Sequence, residues 1–553
     1  MTRRWVTGAA LSLVTASTAT AGGLFTPGSG AISTSRAGAA VASVDDGEAL
    51  GINPAGLARA KGVKLTISTQ LLQYYMSFSR RGTYDAVTTP PGDAAPPYVG
   101  QGYQTVENDP KPPLGFAGFQ PLPVIAVSWD LGGRVPNLTV GGGLNTPSGY
   151  PFRDMTNGYQ FQTDASASFD AAPPATRYDI MTQESALLFP SLAAAYRITP
   201  DLDVGVRLTA GNFKSKTQVV VWGTPANWEE DVKKDVLFTA DVKDGFIPAA
   251  GIGASYRIGP SIELGASWSS PIVIKSQGTA VTARGPGNDP TRTTGPVPDA
   301  MARCAKGGTL EEQKACISLQ LPMTATIGGR YKILDETGNE MADVELDVNW
   351  ENWGKTCDFS TDAAILGSSC TSPGQYRVQI DSGLYTNGQF QSALHTNAVN
   401  LGLRDTFGAR LGGSYRYPVG DAKLVTRAGV AYDTAAAKEG WLRANFDGTS
   451  RVMGALGLAY DTGSWQVNAG FGYIHEGTNT NPGAAADGSD CNPTAQTGGG
   501  CGPGASVQAA KDRQGPDPTN PLVGPDAQAE SPYNQGSITS HYLTFLLGFS
   551  KSW

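Results

Sequence analysis

Three histidines in 553 residues leave little room for general acid–base chemistry. Hydrolysis by a nucleophile and a base needs both at fixed geometry. His395 falls in a loop, His475 at a strand end and His541 inside the last strand, none in a G-x-S-x-G setting. Ser540 beside His541 makes no dyad, because neighbouring strand residues point to opposite faces. A lipase or protease is therefore disfavoured, and the chain reads as a non-enzyme without a cofactor. No C-x-x-C spacing occurs, so metal ligands are short and no metal is expected. Basic residues number 41 against 49 acidic ones, with no Lys/Arg cluster; no nucleic-acid partner is expected. No segment approaches 18 consecutive apolar residues, which excludes a transmembrane helix.

What the chain does have is 70 glycines, frequent aromatics and low charge density. Transmembrane strands need only about 9–11 residues of alternating apolarity and barely raise mean hydropathy. A mean hydropathy of -0.21 is compatible with them. The chain begins MTRRWVTGAALSLVTASTATAGG. Arg3 and Arg4, the apolar Ala9 to Val14 and the Ala19-Thr20-Ala21 site predict a secretory signal over 1–21. Cleavage before Gly22 would leave 39 basic residues against 49 acidic ones. The cysteines fall as Cys304/Cys316, Cys357/Cys370 and Cys491/Cys501, each pair close in sequence within Gly, Ser or Pro-rich surroundings. Three local disulfides stapling three loops is the simplest of 15 connectivities.

Alternating segments predict fourteen strands: 61–79, one ending near 131, 137–145, 185–198, 201–215, 248–258, 260–280, 322–334, 340–355, 402–417, 421–436, 450–461, 463–476 and 538–553. Short turns at Thr199-Pro200, Gly259-Pro260, Pro418 to Asp421 and Asp461 to Ser464 follow every second strand; long loops follow the others. That cadence predicts an all-β fold, a 14-stranded antiparallel transmembrane β-barrel of a bacterial outer membrane, with lipid as its surroundings. A soluble sandwich has no reason to gather its long loops at one end. The last strand carries Leu543, Phe545, Leu547 and Phe549 on one face and ends in Trp553. It resembles the C-terminal signal that outer-membrane proteins present to their assembly machinery.

In the ninth strand Val344, Leu346, Val348 and Trp350 alternate with Asp343, Glu345, Asp347 and Glu351. One face suits lipid and the other a lumen. A hairpin near Thr337 would set Arg330 and Lys332 opposite Glu345 and Asp343. Arg404, Arg410 and Arg416 of the tenth strand would face Asp347 and Glu351. Buried charges persist only when paired, since an unpaired one costs several kcal/mol. These residues read as a lattice stiffening the wall, with a part in transport as the alternative.

Between the signal and the first long strand lies SRAGAAVASVDDGEALGINPAGL, Ser35 to Leu57, with neither helical nor strand periodicity. It reads as a turn-rich plug: a hatch over 22–60, preceding a barrel over 61–553. Asp45 and Asp46 suit turn and cap chemistry, and Asn53-Pro54 a turn. With Arg36-Ala37-Gly38, Asp45-Asp46 and Asn53-Pro54-Ala55, the chain resembles the outer-membrane hydrophobic-compound transport family of FadL type. Further echoes lie at 189–208, 251–272, 321–333 and 410–433. The long last loop, 478–537, and the cysteines depart from the pattern.

That resemblance implies passive import of long-chain fatty acids, monoaromatic hydrocarbons or related apolar molecules past a hatch. It also implies a lateral exit at an inward kink in the third strand, which here holds Gly141-Gly142-Gly143 and then Pro147. Asp45 or Asp46 is expected to tether the hatch to luminal arginines. Trp222, Trp228, Phe238 and Phe246, in a loop over 217–247 with a short helix at Ala226 to Val236, could capture a hydrophobic small molecule or lipid, or could sit in an aromatic belt. A general diffusion porin and an adhesin or structural barrel are the competing functions.

Overall fold

Alternation of apolar and polar residues carries each strand through a membrane with one face in lipid and the other in the lumen. The computed structural model describes residues 25–553 apart from 90, 113–117, 147–151, 224–229, 299–300, 303, 305–312, 357–370, 394–396, 439–441 and 482–535. The expected signal, 1–21, lies outside the described residues, as do Cys357, Cys370, Cys491 and Cys501.

The wall consists of β1 (Val63–Arg80), β2 (Gln120–Asp130), β3 (Leu138–Asn145), β4 (Thr182–Thr199), β5 (Leu202–Val221), β6 (Val236–Ile258) and β7 (Ile262–Ser269), followed by β8 (Thr324–Leu334), β9 (Glu340–Glu351), β10 (Thr406–Val419), β11 (Ala422–Asp433), β12 (Arg451–Asp461), β13 (Trp465–Glu476) and β14 (Gly536–Ser552). Each pairs antiparallel with its successor, and β14 returns to β1 in unbroken register from Lys64↔Ser552 to Arg80↔Gly536. Trp553 N–H donates to the Val63 carbonyl at 2.9 Å, finishing the seam. The ring is the closed 14-stranded barrel that the alternation predicts. Gly259 (φ 63°) and Gly420 (φ 61°) take the left-handed backbone their short turns require.

On β9, Val344, Leu346 and Val348 are exposed outward, whereas Asp343, Glu345 and Asp347 are buried inward. So large an outward apolar surface has its natural solvent in lipid. Residues 25–62 pack inside the ring as a hatch. They contain a short helix, α1 (Ala31–Thr34), and 3-10 turns at Gly47–Leu50 and Pro54–Arg59.

Several elements differ from expectation, all toward the outer end. The sixth strand starts at Val236 rather than 248. Its inward residues are Phe238, Ala240 and Val242, then Ile247, Gly251 and Ser255. A register shift opposite Gly211/Phe213 switches the parity, and a bulge of this kind hides a strand from a period-two reading. Residues 217–221 and 236–247, expected as loop, are therefore wall; the described residues 230–235 form no helix. The seventh strand breaks after Ser269 and resumes as Ile272–Arg284, and Lys314–Leu321 precedes the eighth across Pro322. Pro271 and Pro322 lack the N–H that a continuous ladder needs. These segments and Gln375–Thr386 pair with one another, raising one side of the barrel beyond its membrane band. Cys304 and Cys316 form a disulfide on this extension, with Cα atoms 5.4 Å apart.

Candidate functional site

Arg36 is the centre of the hatch. Its Nη1 donates to Asp343 Oδ2 (2.8 Å) and Ser414 Oγ (2.7 Å), and its Nη2 to Glu345 Oε2 (2.9 Å). Its Nε donates to the Ala39 carbonyl at 2.8 Å. This turn aims three backbone N–H groups at the same wall strand. Ala40 and Val41 donate to Asp347 Oδ2 (2.8 and 3.0 Å), and Ala42 to Glu345 Oε1 (2.6 Å). Because β9 alternates, Asp343, Glu345 and Asp347 share one face, and all three grip the hatch.

The tether therefore has the opposite polarity to the one expected: a hatch arginine meets luminal acids. Asp45 is largely exposed and lies 3.8 Å from Lys64. Asp46 caps the Gly47–Leu50 turn by accepting from Glu48 N–H at 3.0 Å. Neither makes an ion pair to a luminal arginine among the described residues. Asn53 does two jobs: its Oδ1 accepts from Ala55 N–H (3.1 Å), while its Nδ2 donates to the carbonyls of Val41 (2.7 Å) and Ala254 on β6 (3.1 Å). Pro54 fills the first turn it caps. Glu48, which sequence reasoning missed, accepts from Ile32 N–H, Ser33 N–H and Ser33 Oγ at 2.7–2.9 Å. Burial and the neighbouring Asp46 charge push its carboxyl up to about 8, against the pull of those donors. Its role depends on a loop closing over some fifteen residues, which no local pattern announces.

Six luminal glycines in three facing pairs form much of the seat. Gly205↔Gly253, Gly265↔Gly328 and Gly412↔Gly429 are cross-strand pairs on β5–β6, β7–β8 and β10–β11. Side chains at these positions would strike, in turn, Pro54 and Ala55, Asn53, Val41 and the Arg36 backbone. At Gly412 an added Cβ would stand 2.5 Å from the Arg36 carbonyl and 2.9 Å from Arg36 Cβ. Gly412→Val is accordingly expected to unseat the hatch while the barrel still forms, raising small-solute permeation in liposome swelling; unchanged permeation would refute the seat.

The luminal lattice is present with a changed membership. The register sets Arg330 opposite Glu345 and Lys332 opposite Asp343, yet the ion pairs run elsewhere. Arg330 meets Asp343 (2.9 Å), Glu263 (2.9 Å) and Glu340; Lys332 meets Glu263 (2.9 Å), and Arg416 meets Glu340 (2.6 Å). Glu263 also holds Arg59 of the hatch at 3.3 Å. Arg410 stands opposite Asp347 but pairs with Asp433 (3.7 Å). Arg404 precedes β10 and donates to the Ala435 carbonyl at 3.0 Å. Glu351 accepts from the Trp353 indole at 2.6 Å.

The hatch divides the lumen. Below it lies a polar vestibule of about 370 Å³ lined by Asp46, Lys64, Arg416 and Arg427. Above it an apolar cavity of about 180 Å³ is lined by Phe213, Val220, Phe238, Ala240, Ile317 and Leu319. Arg443 closes over this cavity, paired with Asp179 at 3.2 Å. Beneath it Phe446 packs on Trp353, and Trp353 on Phe25 of the hatch, with ring centroids 5.4 and 6.1 Å apart. Of the four expected capture residues, Phe238 lines the cavity. Trp222 is buried outside it, beside Tyr178. Phe246 sits past the parity switch and faces outward, 67% exposed. Trp228 lies outside the described residues.

Gly141, Gly142 and Gly143 carry no bulge: both ladders of β3 run through them without a register shift. The interruption comes beyond them. The β2–β3 ladder ends at Val124↔Asn145 and the β3–β4 ladder at Asn145↔Phe189, and Pro147 lies outside the described residues.

The family profile "Outer membrane protein transport protein (OMPP1/FadL/TodX)" matches residues 12–497. The chain belongs to this family. Solved structures carry the FadL/TodX fold as well. A Pseudomonas aeruginosa FadL homologue aligns with 12% identity and TM-score 0.64 over 96% of this chain and 100% of its own. The Pseudomonas putida toluene transporter TodX gives 13% and 0.53 over 95% and 99%. The Ralstonia pickettii toluene transporter TbuX gives 12% and 0.51 over 95% and 98%. A search of curated protein sequences found no match. FadL/TodX membership places the chain in the outer membrane as a transport protein for hydrophobic compounds.

Proposed function

We propose that the protein admits compact apolar molecules through the apolar cavity, past a hatch that moves, and releases them sideways into the bilayer. The apolar cavity above a docked hatch carries this reading. A cavity of about 150 Å³ lined by Leu, Ile and Phe stays dry and holds benzene. One of about 180 Å³ suits a single ring or short alkyl body and gives a long-chain fatty acid little room. The toluene transporters of like fold are in keeping with that choice.

The aromatic chain Phe446–Trp353–Phe25 offers a route from ligand to hatch, since a guest that displaces Phe446 presses on the hatch terminus. The ladder ends at Asn145 favour a sideways exit there. A general porin has no use for a docked hatch, and an adhesin none for an apolar cavity. The C-terminal strand, ending in Trp553, is what assembly machinery would bind.

The test is flux of labelled toluene and labelled palmitate into liposomes carrying the protein, beside swelling in a small sugar. Toluene entry without sugar entry is expected. Equal entry of the sugar would overturn the reading in favour of a porin, and palmitate entry without toluene would overturn the size argument.

A further inference from the structure

Above its lipid-facing band the outer surface of β5, β6 and the continuation of β7 turns abruptly basic. Phe213, Ser215, Val242, Ile274 and Ser276 are buried inward, so Lys214, Lys243 and Lys275 between them point outward, and all three are exposed. Lys214 and Lys243 are direct cross-strand partners. Lys243 pairs with Gln277 on its other side, which makes Lys275 its diagonal neighbour. Direct neighbours stand about 5 Å apart and diagonal ones about 7–8 Å, within the span of one multiply charged headgroup.

Two like charges directly opposite are unfavourable by themselves. Among the described residues one acid, Asp244, lies directly beside them with its carboxylate on the Lys275 backbone N–H, which leaves the trio net positive. The ion pairs of the adjoining wall run through Asp203 and Glu263 on the luminal side and involve none of the three lysines. Asp244, the nearest acid in sequence, accepts from Phe246 N–H and Lys275 N–H. One row further out, Lys216 is flanked by Glu184 and Asp241, so that row is balanced. Toward the outer ends of β13, β14 and β1 the outward residues are Tyr473, His541 and Tyr75, with Tyr75 and His541 stacked at 4.7 Å. The basic surface belongs to one side of the barrel.

We propose that Lys214, Lys243 and Lys275 form a binding site for the phosphate headgroup of an outer-leaflet lipid. The surface beneath decides between a lipid and a free anion. Leu208, Phe246 and Ile252 lie outward on the same strands toward the membrane band, so an amphiphile with phosphate above and acyl chains below fits both parts together. Lysines near a charged membrane surface act additively and are weakened by salt.

The test uses the full-length protein in detergent, with native mass spectrometry reading retention of a bis-phosphorylated glycolipid, the same lipid after phosphatase treatment, and inorganic phosphate. Retention of the phosphorylated lipid is expected. Lys→Gln at 214, 243 and 275 together should weaken it about a hundredfold, roughly fivefold per lysine. Lys423→Gln, at the far end of the barrel, should leave it unchanged. Equal retention by the triple variant, equal retention of the dephosphorylated lipid, or displacement by inorganic phosphate would each overturn the proposal. If the triple variant forms no barrel, Lys243→Gln alone and a salt titration of the wild type decide. Affinity falling with salt supports the site, and salt-independent retention overturns it.

Discussion

Arg36→Ala is expected to turn a sealed barrel into a leaking one. The substitution strips a guanidinium from Asp343 and Glu345, both fully buried as side chains, and removes the Nε contact that shapes the Ala40–Ala42 turn. Breaking a buried ion pair by removing one partner costs about 3–5 kcal/mol. That shifts the docking equilibrium of the hatch by roughly two to four powers of ten. Swelling of liposomes in small sugars should rise toward the rate of an open pore, while heat-modifiable gel mobility, which reports the β1–β14 seam, stays as in the wild type. Arg36→Lys should fall between, because one ammonium cannot fork to two carboxylates. Asp45→Arg is the informative contrast. Asp45 is exposed and its only ion pair among the described residues is 3.8 Å long, so reversal there should scarcely change the leak. A silent Arg36→Ala would remove the hatch ion pair from the account of sealing.

Ala240→Phe is expected to stop hydrophobic entry and leave the seal intact. Ala240 is buried against the apolar cavity from β6, and a benzyl group there takes up much of about 180 Å³. A filled site offers the ligand no burial, so entry of labelled toluene into liposomes should fall roughly tenfold or more. Sugar swelling should not move, because Ala240 touches no part of the hatch seat. Phe238→Ala should act in the other direction, widening the cavity and admitting larger rings. Parallel loss of sealing in Ala240→Phe would mean that the cavity and the seat are not separable.

The membrane band was legible because lipid imposes a strict period of two. From Asp343 to Glu351 every residue falls on its expected face, and the hairpin register came out residue by residue. The outer wall was less legible. There the parity switch near Asp244 and the interruptions at Pro271 and Pro322 break the pattern, and strand was taken for loop. The hatch stretch was legible as a plug, but its mode of attachment was not. Arg36 and Asp343 are 307 residues apart, and an arginine among acids reads the same in sequence whichever partner it takes. The glycine seat was hidden for a different reason. With 70 glycines in the chain, those of the seat are distinguished only by lying on the inward face against the hatch, which requires the register.

Those paired glycines also bear on the wall itself. Six strands present bare main chain to the lumen there, so the ring has little inner bracing of its own. The N-terminal insert supplies it, as a keystone steadies an arch. A barrel expressed without residues 22–60 should be softer across β5 to β11, and, under the proposed movement of the hatch, loosening the insert would loosen the shell around it as well.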